Sequence, residues 1–258
     1  MPPDSPTVLA RGKHAEVLAW GEQQVLKLFR PGHGRAAIAE ELRQAQMAHA
    51  LGIPTARAEQ IIEHQGRVGI VFERLHGPTL YHLAVTRAAP VEELGALLWD
   101  IGSAIHRCAV AGIPAIEARL GARIARAQGV PAPARQAALE ALHRLPGGKT
   151  LCHGDLHPVN VIVTERGPCV LDWVDAAHGA AAADAARTLL LLELGRAAQI
   201  EPAIRAAFVG AYRERLAACG QTEPVARWAL PVAVARLAEP VDAAERQALL
   251  QRIARLVG

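Results

Sequence analysis

The segment Cys152-His-Gly-Asp-Leu-His-Pro-Val-Asn160, followed by Leu171-Asp-Trp173, constrains this chain more than any other. Val159–Thr164 and Pro168–Asp172 read as two short strands divided by the turn Glu165-Arg166-Gly167. A polar loop therefore opens a small hairpin, and a carboxylate, Asp172, closes it. The rest of the chain must build around this island of β structure.

What precedes the island divides in two. Glu16–Trp20 and Gln24–Phe29 are β-rich runs with Gly21-Glu22 as a hairpin turn between them. A helix is expected from Arg35 to Ala50, stopped by Gly52-Ile-Pro54, and two more strands at Ala58–Glu63 and Arg67–Leu75. From Thr79 onward the pattern is helical, with helices expected near 79–87, 91–111, 117–128, 132–144, 181–195, 200–218, 223–237 and 241–257. The expectation is an α+β chain in two lobes. Residues 1–76 form a small antiparallel sheet with one helix, and residues 77–258 form a larger, mainly helical lobe.

Composition agrees. The 258 residues are 51% apolar and 21% charged, a globular balance, and only 3% aromatic, so the core must be aliphatic. A net charge of +3 suits an anionic ligand, and no dense Lys/Arg run suggests a nucleic-acid surface. No apolar run reaches the ~18 residues of a membrane span, and the first residues carry no signal-peptide pattern. The four cysteines, Cys108, Cys152, Cys169 and Cys219, have no CxxC spacing and read as reduced thiols. These features predict a soluble, cytoplasmic protein; they leave its oligomeric state open.

The loop carries the chemistry. Phosphoryl transfer needs a carboxylate beside the attacking hydroxyl, and a neutral oxygen and a second carboxylate to hold Mg²⁺ on the phosphates. Asp155 fits the base, and Asn160 and Asp172 fit the metal ligands. The signature H-R-D-L-x-x-x-N of protein kinases maps onto His153 to Asn160 with Gly154 in place of Arg. A lone His or Asp here would read as a turn cap; the joint spacing of His153, Asp155, Asn160 and Asp172 argues against that. His153-x-Asp155-x-His157, with His178 nearby, also permits a metal-hydrolase cluster, but HExxH and a second close His pair are missing. His153 and His157 are expected to brace the loop.

HGDLHPVN followed by LDW resembles the catalytic loop and metal-binding pair of the aminoglycoside phosphotransferase/choline kinase family. VLKLFRPG resembles that family's Lys-bearing strand, ADAARTLLLL the helix after the metal-binding Asp, and RWALPVAVARLAE, more distantly, its C-terminal helices. The resemblance implies a protein kinase-like fold, ATP or GTP as co-substrate with Mg²⁺, and a small-molecule acceptor. It implies that Lys27 contacts the α/β-phosphates and is held by a glutamate of the following helix. Glu40 and Glu41 are the candidates. Glu41 is preferred because it shares a face with Ile38, Ala45 and Ala48. Gly12, in Ala10–Glu16, stands where a phosphate-covering loop belongs, although the full glycine signature is absent. Glu73 to Leu75 would offer backbone groups to the adenine.

Gly147-Gly148-Lys149-Thr150 looks like the tail of a P-loop, but it precedes a strand instead of following one. The short stretch after Asp172 leaves no room for a long activation segment, which disfavours a protein substrate. Asp175, Glu193, Glu201 and Glu239 are candidates for recognising a cationic acceptor, each with the plainer reading of a solvated helix charge. Asp184 reads as a helix-dipole carboxylate. The alternatives are a nucleotide-binding pseudokinase on the same fold and, less favoured, a protein kinase.

Overall fold

The computed structural model describes residues 6–12, 14–195 and 200–258. The chain forms two compact units. The first comprises Met1–Pro78 and Val161–Val174, the second Thr79–Asn160 and Asp175–Gly258. The expected division at residue 76 was continuous; this one is not. The hairpin belongs with the first unit because its backbone is bonded there. Val163 N–H donates to Pro78 O (2.9 Å), Val170 N–H donates to Pro54 O (2.8 Å), and Thr55 bridges Val170 in parallel.

The first unit is a five-stranded antiparallel sheet in the order β1-β2-β3-β5-β4. The strands are β1 Val8–Arg11, β2 Ala15–Ala19, β3 Gln24–Phe29, β4 Ala58–His64 and β5 Arg67–Glu73. Exposed β1 lies outside the sequence expectation, since it has no inward face to give it an alternating pattern. Leu18, Leu26, Leu28 and Val71 form a buried cluster with Trp20 and Ile62 packed against it. Helix α1, Arg35–Ala50, buries Ile38, Glu41, Gln44, Ala45 and Ala48. The hairpin is β7, Val161–Thr164, with β8, Gly167–Val170.

The second unit is helical. It contains α2 Leu80–Val85, α3 Val91–Ile105, α4 Ile116–Arg126, α5 Ala132–Arg144, α6 Ala181–Leu194, α7 Pro202–Ala218, α8 Thr222–Arg227, α9 Ala229–Arg236 and α10 Ala243–Val257. A short antiparallel pair joins β6, Thr150–Cys152, to β9, Ala177–Gly179. Helices α3 and α7 cross closely at Gly95, where a Cβ would lie 2.6 Å from Phe208 O.

Two helix expectations fail for identifiable reasons. The helix expected over 91–111 ends at Ile105 because the following backbone pairs with β6. Leu151 N–H donates to Cys108 O and Val110 N–H donates to Lys149 O. The helix expected over 223–237 is two, parted at Trp228. Pro231 has no N–H for the carbonyl of residue 227, and its ring crowds that carbonyl.

Candidate active site

In β3 the alternation of the strand sets Leu26 and Leu28 into the core and Lys27 on the opposite face. Lys27 Nζ donates to Glu41 Oε1 at 2.5 Å and to Asp172 Oδ1 at 2.9 Å. Glu41 is buried on α1, whereas Glu40 turns to Arg43 and Gln44. Burial works against the Lys27 charge, but Asp172 and then Glu41 outweigh it, so its pKa is raised. Lys27, Glu41 and Asp172 thus form one ion-paired set inside the first unit.

Asp172 sits in the left-handed region, at φ 63°. Asp tolerates that conformation better than most residues, but it still needs support from its neighbours. Trp173, 1% exposed, supplies it: its Nε1–H donates to Thr55 Oγ1 at 3.1 Å, and the Thr55 hydroxyl donates to Val170 O at 2.6 Å. The Asp172 carboxylate keeps an oxygen beyond the one that Lys27 engages, and its side chain is 38% exposed. Thr55 has no sequence signal of its own; it directly follows the Gly-Ile-Pro stop of α1.

The other nucleotide candidates lie at the edges of the same unit. Gly12 N–H donates to Ala15 O (2.8 Å) and Gly12 O accepts from Arg30 (3.2 Å). Glu73 ends β5, and its carboxylate accepts from Arg166 (2.7 Å) and from Arg57 N–H (3.3 Å). Leu75, two residues past the strand end, is half-buried.

In the second unit, α6 grips the loop with two residues one turn apart. Asp184, 1% exposed, accepts from His153 N–H (2.9 Å) and Gly154 N–H (2.7 Å), with His106 Nε2 at 2.9 Å from the same carboxylate. Its charge therefore serves the loop backbone and not chiefly its own helix. Burial raises its pKa, but His106 and the Gly154 N–H overcome this and hold it below the usual carboxylate range. Arg187, 5% exposed, donates from Nε to Gly154 O (3.2 Å) and from Nη2 to Asp155 Oδ1 (3.0 Å). Gly154 itself is forced: its φ is +81°, and a Cβ would lie 2.3 Å from Asp175 O.

Asp155 is held on both carboxylate oxygens. Arg187 takes Oδ1, and His157 Nε2 lies 3.5 Å from Oδ2. Burial pushes its pKa up, but the His157 hydrogen bond and the Arg187 charge hold it well below the usual range. His157 Nδ1 accepts from Val159 N–H (3.3 Å) and His153 Nδ1 from Asp155 N–H (3.2 Å), so each ring is tied to the backbone of its own loop. Asn160 closes the 3₁₀ turn Pro158–Asn160; its amide N–H donates to Asp155 O at 3.0 Å, which leaves its side-chain oxygen for a ligand.

The rival metal cluster does not form. Among the described residues no three His, Cys, Asp or Glu side chains are grouped to hold a metal, and His178 Nδ1 lies 3.1 Å from Gly148 O. The four acidic candidates for a cationic acceptor all have arginine partners. Asp175 pairs with Arg123, Glu239 with Arg187, Arg236 and Arg123, Glu193 with Arg213 and Arg252, and Glu201 with Arg87. Arg187, which sequence reasoning missed, links Glu239 to Asp155. It has no motif of its own, only its place one turn after Asp184 on α6.

The model of a family described as "Phosphotransferase enzyme family" matches residues 7–228. Among solved structures, the chain is similar to aminoglycoside-3'-phosphotransferase of type VIII, with 18% identity, 88% of this chain and 92% of that one covered, and a TM-score of 0.61. It is similar to a thermostable mutant of aminoglycoside phosphotransferase APH(4)-Ia in complex with ADP and hygromycin B, with 15% identity, coverage of 98% and 93%, and a TM-score of 0.68. A third is APH(3'')-Id from Streptomyces rimosus, in complex with ADP and streptomycin, with 15% identity, coverage of 87% and 91%, and a TM-score of 0.56. At these identities the likeness gives the fold, a protein kinase-like α+β fold. No curated protein matches the chain.

Proposed function

Because the chain belongs to the phosphotransferase enzyme family, we propose that it moves the γ-phosphate of ATP or GTP to a hydroxyl of a small acceptor, with Asp155 as the catalytic carboxylate. The observation that carries this is the posture of Asp155: a backbone-clamped loop, one carboxylate oxygen on Arg187 and the other facing His157. Related folds solved with ADP and with GDP support a nucleoside triphosphate as donor. The four free thiols suit a reducing compartment, and we place the reaction in the cytoplasm.

The chemistry balances simply. The acceptor oxygen forms a bond to phosphorus, the bond from phosphorus to the β-phosphate oxygen breaks, and the nucleoside diphosphate leaves. The hydroxyl proton passes to Asp155. Arg187 and His157 keep that carboxylate a weak base, so it orients the hydroxyl first and takes the proton once the oxygen has become acidic in the transition state. Lys27, held by Glu41, offers its ammonium to the α/β-phosphates, which compete with Asp172 for it.

Asn160 and Asp172 offer an amide and a carboxylate oxygen, the hard donors that Mg²⁺ takes, and their remaining polar atoms are engaged by Asp155 O and Lys27. Mg²⁺ taken by such oxygens would neutralise phosphate charge. Gly12 and the backbone from Glu73 to Leu75 are assigned to the nucleotide, and His153 and His157 to support of the loop.

Asp155→Ala tests the reading. It should keep ATP binding, read as a thermal shift, while ADP release with any acceptor falls by about 10²-fold or more. Full turnover in the variant would remove Asp155 from its role. Nucleotide binding without turnover across a broad acceptor screen of the unaltered chain would favour a regulatory protein on this fold.

A further inference from the structure

Resting on that phosphotransferase reading, we propose that the acceptor is an amine-free hydroxyl compound, neutral or anionic, and not a polycation. An ammonium-bearing acceptor is recognised by carboxylates in excess of the local cations. Among the described residues the carboxylates linked to Asp155 through ion pairs are not in excess, and Asp184, outside that chain, is held by His106 and two backbone N–H groups. Asp155 pairs with Arg187, which pairs with Glu239; Glu239 pairs with Arg236, which pairs with Glu245. Glu239 also meets Arg123 at 3.3 Å, and Arg123 meets Asp175 at 2.7 Å, with Arg119 at 3.8 Å. The chain of ion pairs therefore holds four carboxylates, Asp155, Asp175, Glu239 and Glu245, and four arginines, Arg119, Arg123, Arg187 and Arg236. His157 adds a polar N–H on the far side of Asp155.

Burial makes this balance matter. The side chains of Arg123, Asp175 and Glu239 are 17–19% exposed and that of Arg187 is 6% exposed. Such pairs are only partly screened by water. An incoming ammonium would have to take Asp175 or Glu239 from its arginines and leave a cation stranded, which costs more than the new contact returns. Sugar hydroxyls or an acceptor carboxylate can instead share arginine N–H groups without parting a pair. The more distant acids, Glu193 and Glu201, are matched by arginines in the same way.

The test uses the purified full chain with Mg²⁺ and ATP or GTP and matched acceptors: sugars and sugar acids against their amino-sugar counterparts. Phosphate incorporation is read by mass spectrometry. The amine-free members should show a kcat/KM at least about tenfold higher. The opposite order overturns the inference and leaves the phosphotransferase reading standing. Transfer to neither series removes that reading, and calorimetry with kanamycin, which needs no turnover, then decides the inference. The unaltered chain should give no binding up to about 1 mM kanamycin. Arg123→Gln leaves Asp175 and Glu239 short of a shared cation, and it should bind kanamycin at least about tenfold more tightly. Micromolar binding by the unaltered chain overturns the inference. So does a folded Arg123→Gln chain that binds no better.

Discussion

Removing the Asp184 carboxylate should unfasten the catalytic loop from α6, and the structure sets the size of the effect. Asp184→Ala strips acceptors from His153 N–H, Gly154 N–H and His106 at a site that is 1% exposed. A buried donor left without a partner costs about 1–3 kcal/mol, so three of them, sharing one cavity and not additive, cost about 3–5 kcal/mol. That is a large part of the about 5–15 kcal/mol that holds a domain folded. Asp184→Asn keeps one oxygen but turns an NH₂ toward at least one donor, and should cost about 1–3 kcal/mol. Urea unfolding followed through tryptophan fluorescence is suitable, since Trp228 of the same unit is 1% exposed. The folded-state pKa of Asp184 is lowered, so its stabilisation is complete above the unfolded value of about 3.9 and fades as pH falls below it. The advantage of the unaltered chain over Asp184→Asn should therefore shrink below about pH 4. An Asp184→Ala chain within about 0.5 kcal/mol of the unaltered one would refute the clamp.

Three further outcomes follow from the same geometry. Thr55→Val removes the hydroxyl between Trp173 and Val170 O, and should lower stability by about 1–3 kcal/mol and raise the KM for nucleotide through Asp172; an unchanged KM would show that the Trp173 anchor does not position Asp172. Gly154→Ala drives a Cβ to 2.3 Å from Asp175 O, so kcat should fall about tenfold or more while the nucleotide thermal shift persists; a normal kcat would mean the loop has room to move. Chelation with EDTA should stop turnover and added Mg²⁺ restore it, whereas EDTA-resistant transfer would remove Asn160 and Asp172 from metal binding.

Local chemistry made part of the site legible. The strand pattern around Lys27 showed that it opposes Leu26 and Leu28, and the helical face of α1 distinguished Glu41 from Glu40. The hairpin was visible from its turn residues, with the first strand starting two residues late because Pro158–Asn160 takes a 3₁₀ turn. Strands β6 and β9, three residues each, carry too few side chains for any period to be seen. Asp184 was misread for a physical reason: a carboxylate in the first turn of a helix has two possible clients, its own N-terminus and a distant backbone.

The sequence by itself determined the longer strands and helices in their order, the loop chemistry of His153 to Asn160 and the carboxylate at Asp172, because these depend on residue type at short spacing. Only the tertiary structure decided that Arg187 grips Asp155, that Thr55 anchors Trp173 and that Asp175 and Glu239 are matched by arginines. Apart from Arg236, three residues before Glu239, those partners lie 32 to 118 residues apart along the chain. An ion pair or a buried hydrogen bond depends on distance in space, and no periodicity in one segment records which distant side chain will close it.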